Sequence, residues 1–179
     1  MQNSKTTKGS GKGNSKLADY KMFLKIRLAS LVVFSASLTY IIASGSDFSY
    51  MELLWVIVGG FLVTGASNGF NQVWEKETDK LMERTSDRPL PQERMGVKEG
   101  MAIALITGMV GVIVLWYFLN PLTGILGLIS LLLYATIYTP MKKKSSWAVF
   151  IGAFPGALPP MIGWIAFTGE FSPEAVILF

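Results

Sequence analysis

Five stretches of apolar residues, separated by more polar segments, dominate the pattern of the chain. Each stretch is close to the roughly 20 residues that an α-helix needs to cross the hydrocarbon core of a bilayer. The stretches cover about residues 24–44, 51–71, 100–119, 122–140 and 147–168. Short links join the first stretch to the second and the third to the fourth, so each pair forms antiparallel neighbours. The pattern predicts an all-α fold, a polytopic transmembrane helix bundle of about five spans.

The basic residues are distributed unevenly between the two ends of these predicted spans. Of 16 Lys and Arg, seven occur up to Arg27, six occur from Lys76 to Lys98, and three occupy 142–144. The opposite side carries none, so the positive-inside rule places the N-terminus and the 73–99 loop in the cytoplasm. This distribution also argues against nucleic acid as a partner, although the formal charge is +4. The predicted surroundings are a lipid bilayer, as a hydrophobic content of 51% also indicates.

Residues 1–22 precede the first apolar stretch and are rich in Lys, Ser, Gly, Asn and Thr. A segment with so few large apolar side chains cannot bury enough surface to fold alone. We therefore predict a disordered basic cytoplasmic tail over 1–22 and a membrane domain over 23–179. A cleaved signal peptide is the alternative, but the apolar stretch is longer than the hydrophobic region of such peptides, which favours a retained helix.

The last part of the chain carries two irregular features. An odd number of spans, followed by a new apolar run at 175–179, predicts a bundle truncated from a larger one. Pro155, Pro159 and Pro160 interrupt the fifth stretch. A broken helix at membrane depth is tolerated where protein or a cavity satisfies the freed backbone groups. The prolines therefore predict either a kinked cavity wall or simple packing.

Polar side chains concentrate at the end of the second apolar stretch. If the helix continues there, Asn71, Glu75 and Asp79 lie on one face, each about 6 Å further along the axis. Hard oxygen donors at this spacing suit Mg²⁺ that is shared with the phosphate oxygens of a substrate. A solvated helix with surface charges is the competing interpretation, and spacing alone favours it. The chain has no Cys and no His, so any chemistry uses carboxylates, amides, Tyr and cations.

The sequence around Asn71, Glu75 and Asp79 favours the metal site over the solvated helix. Asn71-x-x-x-Glu75-x-x-x-Asp79, followed by Lys-Leu-Met-Glu-Arg-Thr-Ser-Asp-Arg-Pro-Leu-Pro over 80–91, resembles the first aspartate-rich motif of the UbiA prenyltransferase superfamily. A second segment, Tyr138-x-x-x-Lys142, resembles the Tyr-x-x-x-Lys element of the same superfamily. The two motifs occur along the chain in the same order as in the superfamily.

The resemblance extends from Lys25 to the end of the chain. Within the superfamily, residues 138–164 are most similar to the branch that farnesylates protoheme IX. This similarity implies transfer of a farnesyl group from farnesyl diphosphate to a vinyl group of protoheme IX, which forms heme O. It also implies the inner membrane of a bacterium, with possible association with heme A synthase or with terminal oxidase assembly. The alternative is a UbiA-type prenyltransferase that acts on an aromatic quinone precursor. A weaker alternative is a non-catalytic membrane transport protein in which the acidic helix face binds a cation.

The resemblance also implies roles for individual residues. Mg²⁺ held through Asn71, Glu75 and Asp79 would bind the diphosphate. The residues implied to neutralise charge on that group are Lys76, Arg84, Arg88, Tyr138 and Lys142. Arg84 and Arg88 could equally be anchors at the membrane surface, and Tyr138 alone could be an interfacial aromatic residue.

Two substitutions depart from the family pattern. Glu75 replaces the usual Asp and is one methylene longer, and Lys76 replaces an Arg and loses the two-pronged hydrogen bonding of guanidinium. The second aspartate-rich motif of the family and the downstream His residues expected in the branch that farnesylates protoheme do not occur in these 179 residues. We therefore expect a protein that consists of this segment alone to be inactive.

Overall fold

The computed structural model of the protein describes residues 15–142 and 145–179. Helices account for most of these ranges. They are α1 (Lys16–Leu24), α2 (Ile26–Ser44), α3 (Tyr50–Lys80), α4 (Val97–Phe118), α5 (Pro121–Leu132), α6 (Thr139–Met141), α7 (Ala148–Thr168) and α8 (Pro173–Leu178). A π-helical segment, Leu133–Tyr138, joins α5 to α6.

Five helical segments in the described ranges are long and apolar enough to cross a membrane. They are Ile26–Asp47, Tyr50–Lys80, Val97–Phe118, Pro121–Met141 and Ala148–Thr168. The predicted all-α bundle of five spans is therefore confirmed, and the protein is a multi-pass membrane protein. Helix α3 contacts α2, α4 and α5, so it lies centrally, while α7 packs mainly against α2.

Helix α3 is the longest element, with 31 residues from Tyr50 to Lys80. At 1.5 Å per residue it is about 46 Å long, which exceeds the roughly 30 Å hydrocarbon core of a bilayer. Its last nine residues, 72–80, lie beyond the predicted span and contain neither Gly nor Pro, so nothing local ends the helix at Asn71. The helix therefore continues through Asp79, which is the condition under which Asn71, Glu75 and Asp79 share one face.

The predicted disordered tail requires a correction. Residues 1–14 lie outside the described residues, but α1 begins at Lys16, where the Ser15 hydroxyl accepts a hydrogen bond from the Ala18 N–H. Phe23 is completely buried, and Asp19 is buried in an ion pair with Arg94, 2.9 Å between Oδ1 and Nε. Composition alone missed this helix because its stabilising contacts come from residues far along the chain.

Lys25 separates α1 from α2 and adopts left-handed backbone angles, φ 50° and ψ 55°. Such a break leaves carbonyl groups without intrahelical partners. Two amide side chains of α3 supply the missing donors: Gln72 Nε2 donates to the Phe23 carbonyl, and Asn68 Nδ2 donates to the Leu24 carbonyl over 3.3 Å. The central helix thereby fixes the position at which the chain turns into the first span.

The three prolines of the fifth span lie within a continuous helix, so the expected interruption is wrong. Helix α7 runs from Ala148 to Thr168 through Pro155, Pro159 and Pro160. A proline removes one backbone donor but leaves a transmembrane helix viable when neighbouring groups satisfy the freed carbonyls. Pro155 and Pro159 line an apolar cavity, which supports the first of the two predicted roles, a cavity wall.

Asn120 connects the turn before α5 to the end of α7. Its Oδ1 accepts hydrogen bonds from the backbone N–H and the hydroxyl of Thr123, both 2.9 Å. Its Nδ2 donates to the carbonyls of Ile165 and Ala166, at 2.8 and 3.2 Å. One amide therefore caps α5 and satisfies two carbonyls in the last turn of α7.

We predict that Asn120→Ala lowers the free energy of unfolding by about 2 kcal/mol, because it removes an N-cap and two hydrogen bonds to α7 carbonyls. Thermal unfolding of the purified protein in detergent measures this change. Asn120→Asp separates the two contributions, since a carboxylate keeps the cap but cannot donate to α7. An unchanged melting temperature for Asn120→Ala would contradict the assignment.

Candidate active site

Helix α3 presents three oxygen-bearing side chains on one buried face near its C-terminal end. Asn71, Glu75 and Asp79 are only 3%, 7% and 3% exposed. They follow one another at four-residue spacing, about 6 Å per step along the axis. A solvated amphipathic helix would expose these groups, so the competing interpretation from the sequence is wrong.

A cation faces each of the two carboxylates. Lys142 Nζ lies 3.2 Å from Glu75 Oε1, and Arg88 forms an ion pair with Asp79. The loop after α3 folds back to place Arg88, helped by the Thr85 hydroxyl, which donates to the Asp79 carbonyl over 3.2 Å. Groups that are 9 and 67 residues apart in the sequence thus meet around one helix end.

These residues surround a polar pocket with a volume of about 420 Å³. Of the eight residues singled out from the sequence, six line this pocket: Asn71, Glu75, Asp79, Arg84, Arg88 and Lys142. Lys76 and Tyr138 are not among its lining residues. Lys76 follows Glu75 directly and so points about 100° away from it around the helix axis. Tyr138 instead lines the neighbouring apolar cavity.

Five further residues line the polar pocket that the sequence did not single out, and Lys25 and Tyr134 are the two ionisable ones among them. Burial, and then the nearby positive charge of Arg88, lower the pKa of Lys25 to about 8. In the sequence Lys25 looked like a topology marker among other basic residues, and only the break between α1 and α2 turns it inward. The sequence did contain evidence that could have identified Tyr134, because this residue lies one helical turn before Tyr138 on the same face.

Tyr134 also lines an apolar cavity of about 270 Å³ inside the bundle. The cavity walls come from α2, α3, α4, α5, the π-helical segment and α7. The rings of Tyr134 and Tyr138 lie 5.1 Å apart, and the Thr139 hydroxyl donates to the Tyr134 carbonyl over 2.7 Å. π-helical turns of this kind often occur at functional sites. The tyrosine therefore stands where the polar pocket meets the apolar cavity.

The charges of the polar pocket suit a polyanion. Lys25, Arg84, Arg88 and Lys142 provide four basic groups against two carboxylates. Within the described ranges, no three His, Cys, Asp or Glu side chains cluster as a metal site on their own. A hard cation bound here would therefore need oxygen ligands from a second source, such as phosphate groups. Two buried carboxylates and one amide form an oxygen donor set that fits such shared binding.

A family model for the UbiA prenyltransferase family matches residues 31–179. The chain belongs to this family. The match includes α3 with its three oxygen donors and the loop that carries Arg88, so the residues that line the polar pocket lie within the UbiA domain, apart from Lys25.

Two curated relatives of this UbiA chain carry the same name. The chain is 47% identical over 164 residues to a protoheme IX farnesyltransferase of Christiangramia forsetii. This alignment covers 91% of the chain and 54% of that relative. The chain is 46% identical over 168 residues to a protoheme IX farnesyltransferase of Cytophaga hutchinsonii, covering 92% of the chain and 58% of that relative. The chain thus spans about half the length of the curated relatives it matches.

A solved structure shares the fold of this UbiA chain. It comes from work on digeranylgeranylglyceryl phosphate synthase in membranes and superimposes with a TM-score of 0.81. The similarity covers 91% of the chain and 57% of that structure, at 22% sequence identity. At this identity the comparison establishes the architecture of the helix bundle.

Proposed function

We propose that the protein transfers the farnesyl group of farnesyl diphosphate to a vinyl group of protoheme IX, which yields heme O. The observation that carries this proposal is a cationic pocket with buried oxygen donors that adjoins an apolar cavity at Tyr134. An allylic diphosphate has the same two parts, a polyanion and a hydrocarbon chain. The name shared by the curated relatives supports protoheme as the acceptor.

In this proposal the polar pocket binds the diphosphate. Lys25, Arg84, Arg88 and Lys142 neutralise its oxygens, and their charge stabilises the leaving group as the bond to the allylic carbon breaks. Asn71, Glu75 and Asp79 would hold Mg²⁺ together with diphosphate oxygens. When bound, this ion supplies further charge stabilisation for the departing group.

The apolar cavity accommodates the farnesyl chain. As the C1–O bond of farnesyl diphosphate breaks, its electron pair leaves with the diphosphate. The vinyl group of protoheme then donates its π electrons to C1, and water adds to the resulting carbocation with loss of a proton. This sequence gives a hydroxyethylfarnesyl substituent. C1 would lie beside Tyr134, which lines both the polar pocket and the apolar cavity, and the apolar walls limit access of water to the allylic cation.

The proposed location is the inner membrane of a bacterium, with the N-terminus and the loop after α3 in the cytoplasm. All 16 basic residues lie on that side of the predicted topology, which supports this orientation. The polar pocket would then open toward the compartment that supplies soluble diphosphates. Association with heme A synthase or with terminal oxidase assembly is part of the proposal, because heme O leaves this reaction for further conversion.

The proposal predicts Mg²⁺-dependent transfer in membranes that contain the full-length protein. Incubation with farnesyl diphosphate and protoheme should give a farnesylated heme that mass spectrometry detects, and EDTA should abolish its formation. The same membranes should not prenylate 4-hydroxybenzoate. Product from 4-hydroxybenzoate in place of heme O would overturn the acceptor assignment, and no prenyl transfer to either acceptor would overturn the proposed reaction.

A further inference from the structure

A second basic depression lies beside the polar pocket. This basic groove has a volume of about 780 Å³ and lies between α1, the start of α2 and the loop after α3. Small-molecule sites commonly enclose about 300–1,000 Å³, so the groove is large enough for a sizeable ligand. Its five basic side chains are Lys21, Lys25, Arg27, Arg84 and Arg88.

The groove adjoins both parts of the proposed active site. It shares Lys25, Arg84 and Arg88 with the polar pocket and Leu28 with the apolar cavity. A ligand in the groove would therefore lie next to the junction at which the diphosphate meets the farnesyl chain. This is the position that an acceptor needs if it is to reach the allylic carbon.

Lys21 and Arg27 belong to the groove but not to the polar pocket. Both side chains are exposed, and among the ion pairs of the described residues neither is matched with a carboxylate. The one acidic residue of the groove, Asp87, is paired with Arg94 at 3.3 Å. The outer rim of the groove therefore carries positive charge that is available to an anion.

The wall of the groove next to these cations is apolar. Ile26, Leu28 and Leu31 line it and are 42–67% exposed. Cations on an outer rim above an aliphatic wall suit a ligand with carboxylates on one edge and a flat, largely apolar body. Protoheme IX is such a molecule, because its two propionates lie on the side of the macrocycle opposite its vinyl groups.

We propose that the basic groove is the acceptor site, in which Lys21 and Arg27 bind the propionates of protoheme while Leu28 and Leu31 contact the ring. This orientation directs a vinyl group inward, toward Tyr134 and the allylic carbon. The inference rests on the proposed function, since it deepens that function by assigning the acceptor to a surface. The proposal assigns the basic residues of the polar pocket to the diphosphate and the outer pair, Lys21 and Arg27, to the propionate carboxylates.

The test uses the double variant K21Q/R27Q of the full-length protein in membranes. Exposed ion pairs are individually weak, so removing two of them should raise the KM for protoheme about tenfold. The KM for farnesyl diphosphate and the amount of inserted protein should not change. K98Q is the matched control, because Lys98 is an exposed lysine that does not line the groove.

Protoheme dimethyl ester supplies the second arm of the test, because esterification removes the carboxylate charges without changing the ring. The wild-type protein should use the diester with a raised KM, and K21Q/R27Q should then cause no further increase. Such non-additivity identifies a direct interaction between the changed groups. Equal losses from the double substitution with protoheme and with the diester would overturn the inference.

Two further outcomes would also overturn it. A rise in the KM of both substrates would assign the outer cations to the diphosphate. An effect that disappears in vesicles of uncharged phosphatidylcholine would assign them to an anionic lipid head group. Failure of the proposed function is distinct, because the wild-type protein would then form no farnesylated heme. Failure of this inference alone would leave wild-type transfer intact and K21Q/R27Q without effect.

Discussion

Replacing Glu75 by Gln together with Asp79 by Asn in the full-length protein is expected to lower the rate of farnesyl transfer more than about 100-fold. Both carboxylates are buried, and both line the pocket assigned to the diphosphate. The amides keep the size of the side chains but remove the negative charge that a divalent cation requires. Transfer to protoheme, measured over a range of Mg²⁺ concentrations, tests this expectation.

Glu77→Gln is the matched control for the double substitution. Glu77 lies on the same helix between the two tested residues, but its side chain is 77% exposed and pairs with Lys80 at 3.4 Å. It does not line the polar pocket, so its removal should leave the rate within about twofold of wild type. Heme O formation that survives the double substitution unchanged would refute the assignment of these carboxylates to the site.

Placing any larger side chain at Gly163 should disrupt the packing of α7 on α2. A Cβ atom at this position would overlap the carbonyl oxygen of Ala36 and the hydroxyl of Thr39. Those atoms belong to a buried part of α2, and the Thr39 hydroxyl already donates to the Ala36 carbonyl at 3.0 Å. Because backbone atoms cannot give way as a flexible side chain does, the two helices must separate. Small residues permit such close approach between transmembrane helices.

We expect Gly163→Val to destabilise the protein by about 3 kcal/mol or more, which lowers both its melting temperature and its yield from membranes. Thermal unfolding in detergent and resistance to proteolysis measure the loss. Gly156→Ala is the control on the same helix, since a Cβ there has no atom within 4 Å. Equal melting temperatures for Gly163→Val and Gly156→Ala would contradict the close approach of α7 to α2 at Gly163.

Features that depend on neighbours along the chain were predictable. The five spans follow from the length of apolar stretches, and the shared face of Asn71, Glu75 and Asp79 follows from the period of an α-helix. Both are local properties, because they depend only on the type and spacing of residues within one segment. The end of α3 at Lys80 does not follow from hydrophobic length, because the helix continues past the apolar stretch for nine residues, 72–80.

Features that depend on distant partners were not predictable from composition. Helix α1 was assigned to a disordered tail, yet Asp19 pairs with Arg94, 75 residues away. Tyr138 was expected beside the diphosphate through its spacing from Lys142, but its ring packs against Gly152, where an added Cβ would lie 2.6 Å from Tyr138 Cε2. The spacing identifies residues that share a helix face, not the cavity that the face meets.

The sequence by itself determined the five membrane-spanning helices of the described ranges and the shared face of Asn71, Glu75 and Asp79, because hydrophobic length and helical periodicity are encoded locally. Its resemblance to the UbiA superfamily, and not periodicity, singled out Arg84, Arg88 and Lys142. Only the tertiary structure decided that Lys25 and Tyr134 join them and that Lys76 and Tyr138 do not. Membership of the pocket depends on the break before α2, the folded loop after α3 and the π-helical segment. Contacts between distant residues set the direction of the chain at each of these places.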